Sequence, residues 1–174
     1  MALPRRGNSN AVTISVQTLI TLQFSAQNDL GSLIIELGGA GPFSHVDLVE
    51  VTGALYGARS DAVGGVPPGV QSRPPDYEKF ARRVRMSFSS TPAEEKTFWD
   101  FAYAQRGKPY DTTAILAFVA NRDWRTPDAW FCSELATASL ETAALCPPLY
   151  SPVNKIEPVT LAIVCSALGA IVTS

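Results

Sequence analysis

A thiol nucleophile working near neutral pH needs a group that moves its proton, and this chain holds three thiols and one imidazole. Its single histidine, His45, stands in FSHVDLV. Its three cysteines are Cys132, in WFCSELA, Cys146 and Cys165. Imidazole is the side chain whose ordinary pKa suits proton transfer near pH 7. A thiol beside it becomes a strong nucleophile once its proton is taken. Cys132 has the local sequence for that role. Asp128 reads as an N-cap, which puts Cys132 in the first turn or two of the helix AWFCSELATASLETAAL. A helix N-terminus carries partial positive charge and favours thiolate over thiol. Cys146 stands before Pro147-Pro148 and Cys165 in an apolar run, so both read as packing residues. Taken alone, a cysteine on an amphipathic helix is more often simply core, and a histidine in a strand more often a satisfied structural residue than a base. The two are far apart in the chain, so only the fold can join them.

The elements that must do so are marked by periodicity. In VTISVQTLITLQF (12–24), Val12, Ile14, Val16, Ile20, Leu22 and Phe24 share one parity, as a strand requires, with a break near Gln17. In NDLGSLIIELGG (28–39), Leu30, Leu33, Ile34 and Leu37 fall at helical spacing, and Gly38-Gly39 end the helix. The His45 strand follows, with Val46, Leu48 and Val49; a turn near Thr52-Gly53 leads into a second strand, ALYGARS (54–60), giving a hairpin. Residues 63–77 hold three glycines and four prolines and read as loop, with a short extended piece at Val70-Gln71. RRVRMSFSS (82–90) alternates again through Val84, Met86 and Phe88. Thr91 as N-cap, Pro92 at N1, Glu94 in a capping box and Gly107 as the stop mark the next helix, with Phe98, Phe101, Ala102 and Gln105 on one face. GKPYD (107–111) is a turn and TTAILAFVANRDW a short helix. Pro147-Pro148 end the Cys132 helix. The expected class is α+β, an antiparallel sheet packed against helices, in a single domain over 1–174.

Composition bounds the function classes. With 46% hydrophobic and 17% charged residues, the chain is globular. A net charge of −2, without long charged runs, gives no reason to expect a nucleic-acid partner. Arg82, Arg83 and Arg85 fit strand alternation. An odd number of cysteines without CxxC spacing argues against a disulfide framework and a zinc knuckle, so no metal or cofactor is expected. The opening MALPRRGNSN lacks an apolar run after its arginines, so no signal peptide is expected and a reduced, cytoplasmic setting is the simpler one. The terminal VTLAIVCSALGAIVTS is apolar but short, and reads as a buried strand or helix rather than a stable membrane insertion. Oligomeric state is open.

The segment SHVDLV with its following strand, then GKPYD, then FCSEL at a helix start, resembles the NlpC/P60 superfamily of papain-like cysteine hydrolases. Usual members run Cys then His. The order here is that of the circularly permuted branch, which holds the YiiX/YaeF-like proteins and the lecithin:retinol acyltransferase relatives. The resemblance covers about Ser32 to Ala138. It implies a permuted papain-like fold, with Cys132 as nucleophile, His45 as general base and Tyr110 as an oxyanion donor beside the backbone N–H of Cys132. Relatives carry a polar residue on the strand after the histidine strand to orient the imidazole. The matching position here is Gly57, which offers no side chain. Asp47, two residues from His45 and on its strand face, is preferred over Asp61; Ser60 lies beside Asp61, and Glu50 has the opposite parity.

Three functions follow as expectations. One is a cysteine amidase or peptidase on cell-wall-type peptides, which in a cytoplasmic, phage or prophage setting would reach its substrate through lysis or another export route. Another is a lipid acyltransferase or thioesterase. The last is a binding scaffold without turnover, which the empty third position favours. Residues 63–77 are long enough to line or cover a cleft.

Overall fold

Alternating burial builds the sheet. The computed structural model describes residues 16–26, 41–112, 128–149, 151 and 153–173. The helix expected over 28–39, residues 12–15 and the short helix expected after Thr112 lie outside them. In β1 (Thr18–Ala26), Ile20, Leu22 and Phe24 are buried, as their parity requires. β2 (His45–Val49) and β3 (Leu55–Arg59) form the expected hairpin, with Leu48 opposite Tyr56 and Val49 opposite Leu55. Gly53, at φ 85°, makes the turn, a conformation that glycine adopts without steric cost. With β4 (Gly69–Arg73), β5 (Arg82–Ser90) and β6 (Ile171–Thr173), the strand order is β4-β3-β2-β1-β5-β6, antiparallel throughout.

The structure differs from the sequence reading of 63–77. Instead of a brief extended piece, Gly69–Arg73 is a full strand, beyond the point where Pro67-Pro68 deny the backbone its donors. Its outer edge is paired too. Val70 N–H donates to the Lys108 carbonyl at 2.9 Å, and Gly107 N–H to the Val70 carbonyl at 2.9 Å. Gly69 is needed for this approach, since a Cβ there would lie 2.5 Å from the Lys108 carbonyl oxygen. The GKPYD turn is thereby docked against β4.

α1 (Pro92–Ala104) starts as expected, with Thr91 and Glu94 in a reciprocal capping box, and it buries Phe98 and Ala102. α2 (Cys132–Thr142) departs from expectation at both ends. Its N-cap is Phe131, not Asp128. Residues near Trp130 are drawn into a bridge with the turn: Trp130 N–H donates to the Pro109 carbonyl at 3.0 Å and Asp111 N–H to the Trp130 carbonyl at 3.1 Å. Asp128 takes φ 60°, and its carboxylate accepts from Lys108 at 3.2 Å. At the other end α2 stops before Pro147-Pro148. Ala144 turns left-handed at φ 57°, and the N–H groups of Leu145 and Cys146 return to the Leu140 carbonyl. α3 (Pro158–Ala167) buries Leu161, Ala162 and Cys165 and exposes Ile163, while β6 is exposed. Among the described residues no helix is long and apolar enough to cross a membrane.

The register divides the sheet into two faces. Leu22, Phe24, Val46, Leu48, Tyr56, Ala58 and Val70 share one parity and form the core with Phe98, Leu135, Ala136 and Leu140 of the helices. Gln23, Ser25, His45, Asp47, Arg59 and Arg73 share the other, and all of them are buried. Residues 74–81 cover part of this polar face. They link β4 to β5 across β3, β2 and β1, about 19 Å at ~4.8 Å per strand. Arg73 is level with Leu55, Val49, Thr21 and Ser87, so the link also runs about 17 Å along the strands to reach Arg82. The resulting diagonal of about 25 Å compares with a reach of roughly 30 Å for the chain between Arg73 and Arg82. This strap has little slack, and its midpoint is Tyr77.

Candidate functional site

His45 opens β2 and Cys132 opens α2, and the two meet where these elements begin. Cys132 is the first helical residue, nearer the positive end than the sequence reading placed it. Its thiol is close enough to the imidazole for both Coulombic attraction and a side-chain hydrogen bond to favour the charged ring. On the other side of the ring, His45 Nε2–H donates to Asp47 Oδ1 at 3.0 Å. With Nε2 so occupied, Nδ1 is the nitrogen left for the thiol. His45, Asp47 and Cys132 are all nearly inaccessible to water.

Burial alone would depress the basicity of His45. The Asp47 carboxylate, the charge on Cys132 and hydrogen bonds to both overcome it and raise the pKa to about 10. Burial likewise pushes Asp47 upward, but the His45 charge, the hydrogen bonds from His45 and Tyr77 and the Arg59 charge hold it below the usual carboxylate value. The result is an imidazolium at neutral pH, anchored by an ionised carboxylate.

Two residues that the sequence reading missed complete this line. The Tyr77 hydroxyl donates to Asp47 Oδ2 at 2.9 Å and accepts from Arg59 Nη1 at 3.2 Å. The Arg59 guanidinium lies 5.0 Å from the centre of the Tyr77 ring, and also pairs with Glu78 at 2.9 Å. Nothing in the proline-rich stretch around Tyr77 marks it as a partner for a strand two places away. Arg59 was more legible, because extending the hairpin register from Val49 and Leu55 sets it across from His45.

The other candidates are placed as follows. Asp61 does not hold the imidazole; its carboxylate accepts from Arg59 Nε at 2.8 Å and Nη2 at 2.9 Å. Glu50 accepts from Ser72 at 2.7 Å and Tyr103 at 3.1 Å. Tyr110 is fixed by the bridge to Trp130, and its ring centre lies 5.7 Å from that of Phe131. Burial, followed by the nearby charge on Cys132, pushes its phenol well above the ordinary value, so it stays a protonated donor near the thiol. Cys146 and Cys165 are buried free thiols whose pKa values are raised, Cys165 to about 12, first by burial.

Neither protein-family models nor curated proteins give a match to this chain.

Gly57 explains how Asp47 comes to hold the ring. A Cβ at Gly57 would run into Asp47 Oδ1. The glycine that lacks a side chain for the imidazole thus leaves the space in which the neighbouring strand's carboxylate sits. Gly57→Ala is expected to cost about 1–3 kcal/mol through overpacking, read from urea denaturation midpoints. The cost should largely vanish in an Asp47→Ala background, because the colliding oxygen is gone.

Proposed function

We propose that this chain is a cysteine hydrolase working by acyl transfer on a permuted papain-like scaffold of the NlpC/P60 kind. The observation that carries the reading is the buried line of helix-start thiol, imidazole and carboxylate. In the reaction, Cys132 Sγ attacks a carbonyl carbon as the thiolate. The oxyanion is met by the Cys132 backbone N–H and the Tyr110 phenol. The His45 imidazolium gives its proton to the leaving amine as the carbon–nitrogen bond breaks, leaving a thioester on Cys132. The now neutral imidazole takes a proton from water, whose oxygen attacks the thioester. Thiolate, carboxylic acid and imidazolium result. The substrate class follows from the resemblance: amide bonds in cell-wall-type peptides, reached in a phage or prophage setting or on lysis.

A second reading, an acyltransferase or thioesterase acting on lipids, draws on one feature. A cavity of about 370 Å³ is lined by Gly41, Pro42, Phe43 and Met86 with the α3 residues Val159 and Ile163; neither His45 nor Cys132 lines it, and Phe43 is its link in the chain to His45. Its lining is almost wholly apolar.

The test is intact-protein mass spectrometry after treatment with p-nitrophenyl acetate and p-nitrophenyl decanoate. One acyl group on Cys132 is expected, absent in Cys132→Ala and lost with time from the native chain. A decanoyl adduct that forms at least about tenfold faster than acetyl would favour the lipid reading. Acylation confined to Cys146, Cys165 or lysines would remove both readings.

A further inference from the structure

The charged line does not end at the carboxylate that holds the imidazole. A carboxylate with one oxygen on Nε2 can still rotate about its last bond, and Arg59, whose charge already acts on Asp47, is a competing attraction on the other side. What blocks that rotation is a phenol. Tyr77 donates to Oδ2 while its own oxygen accepts from Arg59, so it stands between carboxylate and guanidinium and keeps them apart at fixed geometry. The phenol is suited to this. Burial and the Asp47 charge push its pKa far upward, so it does not lose the proton that it donates. Arg59 is fixed in turn by its two bonds to Asp61 and by Glu78.

The backbone and ring of Tyr77 are also held from outside the sheet. Its N–H donates to the Pro74 carbonyl at 3.1 Å, its ring meets Phe80 edge-on at 5.3 Å, and a Cβ at Gly64 would lie 2.7 Å from its own Cβ. Downstream, Ala81 N–H donates to the Ala26 carbonyl at 3.1 Å. These contacts and the strap's small slack put the hydroxyl over β2 and keep it there.

We propose that Tyr77 is a positioning residue for the imidazole, acting through Asp47, and that the strap carrying it is a working part of the site. The inference rests on the hydrolase reading for its purpose, though not for its test. The charged and titratable groups concerned are Asp47, Cys132 and Asp61 against His45, and His45, Tyr77, Arg59 and Arg73 against Asp47.

The experiment uses the chain's single histidine. Nitrogen-15 labelling of the ring gives one imidazole signal set, so the His45 titration and the water exchange of its Nε2 proton are read without assignment ambiguity. In Tyr77→Phe, Asp47 turns toward Arg59. The His45 midpoint should fall by about one pH unit, and Nε2 proton exchange should quicken by about tenfold, the worth of one hydrogen bond. Arg59→Lys, which keeps the cation but loses the planar grip on phenol and carboxylate, should move both in the same direction by less. It serves also if Tyr77→Phe does not fold, as judged by urea denaturation. A midpoint within about 0.3 unit of the native one and unaltered exchange, in a folded variant, overturns the proposal. Turnover is not needed for this readout. A chain that hydrolyses nothing but shows the shift loses the hydrolase reading alone, whereas an active chain without the shift loses the positioning role alone.

Discussion

Replacing His45 with alanine should slow alkylation of Cys132 by iodoacetamide at pH 7 about 100-fold, the lower end of what a positioned acid–base partner contributes. The advantage of the native chain should fade as the pH approaches the His45 pKa of about 10 and the imidazolium beside the thiol is lost. The measurement is clean because the other thiols are poor competitors. All three thiols are buried, but burial raises the pKa of these two, so they hold their protons. Peptide mapping of the labelled chain locates the adduct. Equal rates for native and variant chains, at the value for free cysteine, would leave a scaffold without an activated nucleophile.

The second large effect is on stability. Asp47→Ala should destabilise the chain by about 3–5 kcal/mol near pH 6, since it leaves a buried imidazolium without its anchoring charge. The pH dependence follows from the two shifts. The folded His45 pKa lies above its unfolded value of 6.5. Its contribution is therefore complete below that pH and is lost as the pH rises toward about 10. The folded Asp47 pKa lies below its unfolded value of 3.8, so its contribution is complete above that pH and is lost as the pH falls further. The pair is worth most between about 4 and 6.5. Urea midpoints of native and Asp47→Ala chains should differ most in that window and less at pH 10.5, where most of the imidazole is neutral. Some difference should remain there, because Tyr77 and Arg59 also lose their acceptor. An equal difference at both pH values would contradict an ionic pair.

The chemistry-bearing residues were more legible than the means by which they are held. His45 stood out as the only imidazole, and Cys132 through the helix that follows it. The α+β class could be read from the periods of Ile20-Leu22-Phe24 and of the Thr91-capped helix. Asp47 was open to inference by parity alone. The helix start was misplaced because Asp128 is a good capping residue by type. The bridge between Trp130 and Pro109–Asp111, a pairing between distant segments, takes that stretch out of the helical conformation. Tyr77 was invisible for a related reason. Its partners lie on strands that come together only in the sheet, and no local period describes a segment that crosses three of them. Gly57 was read as an empty position but not as room for another residue, because its neighbour across the hairpin becomes apparent only in the register.

The strap orders the events of folding. Its two anchors belong to strands on opposite flanks of the sheet, and its length allows the hydroxyl to arrive only after both flanks have docked. Contacts of such long range form late, because loop closure must precede any gain from them. A nascent or partly opened chain would therefore already have its hairpin, with the ring and carboxylate side by side, while their outer support was still missing. The full anchoring of the imidazole would be the last property acquired on the way in and the first surrendered on the way out.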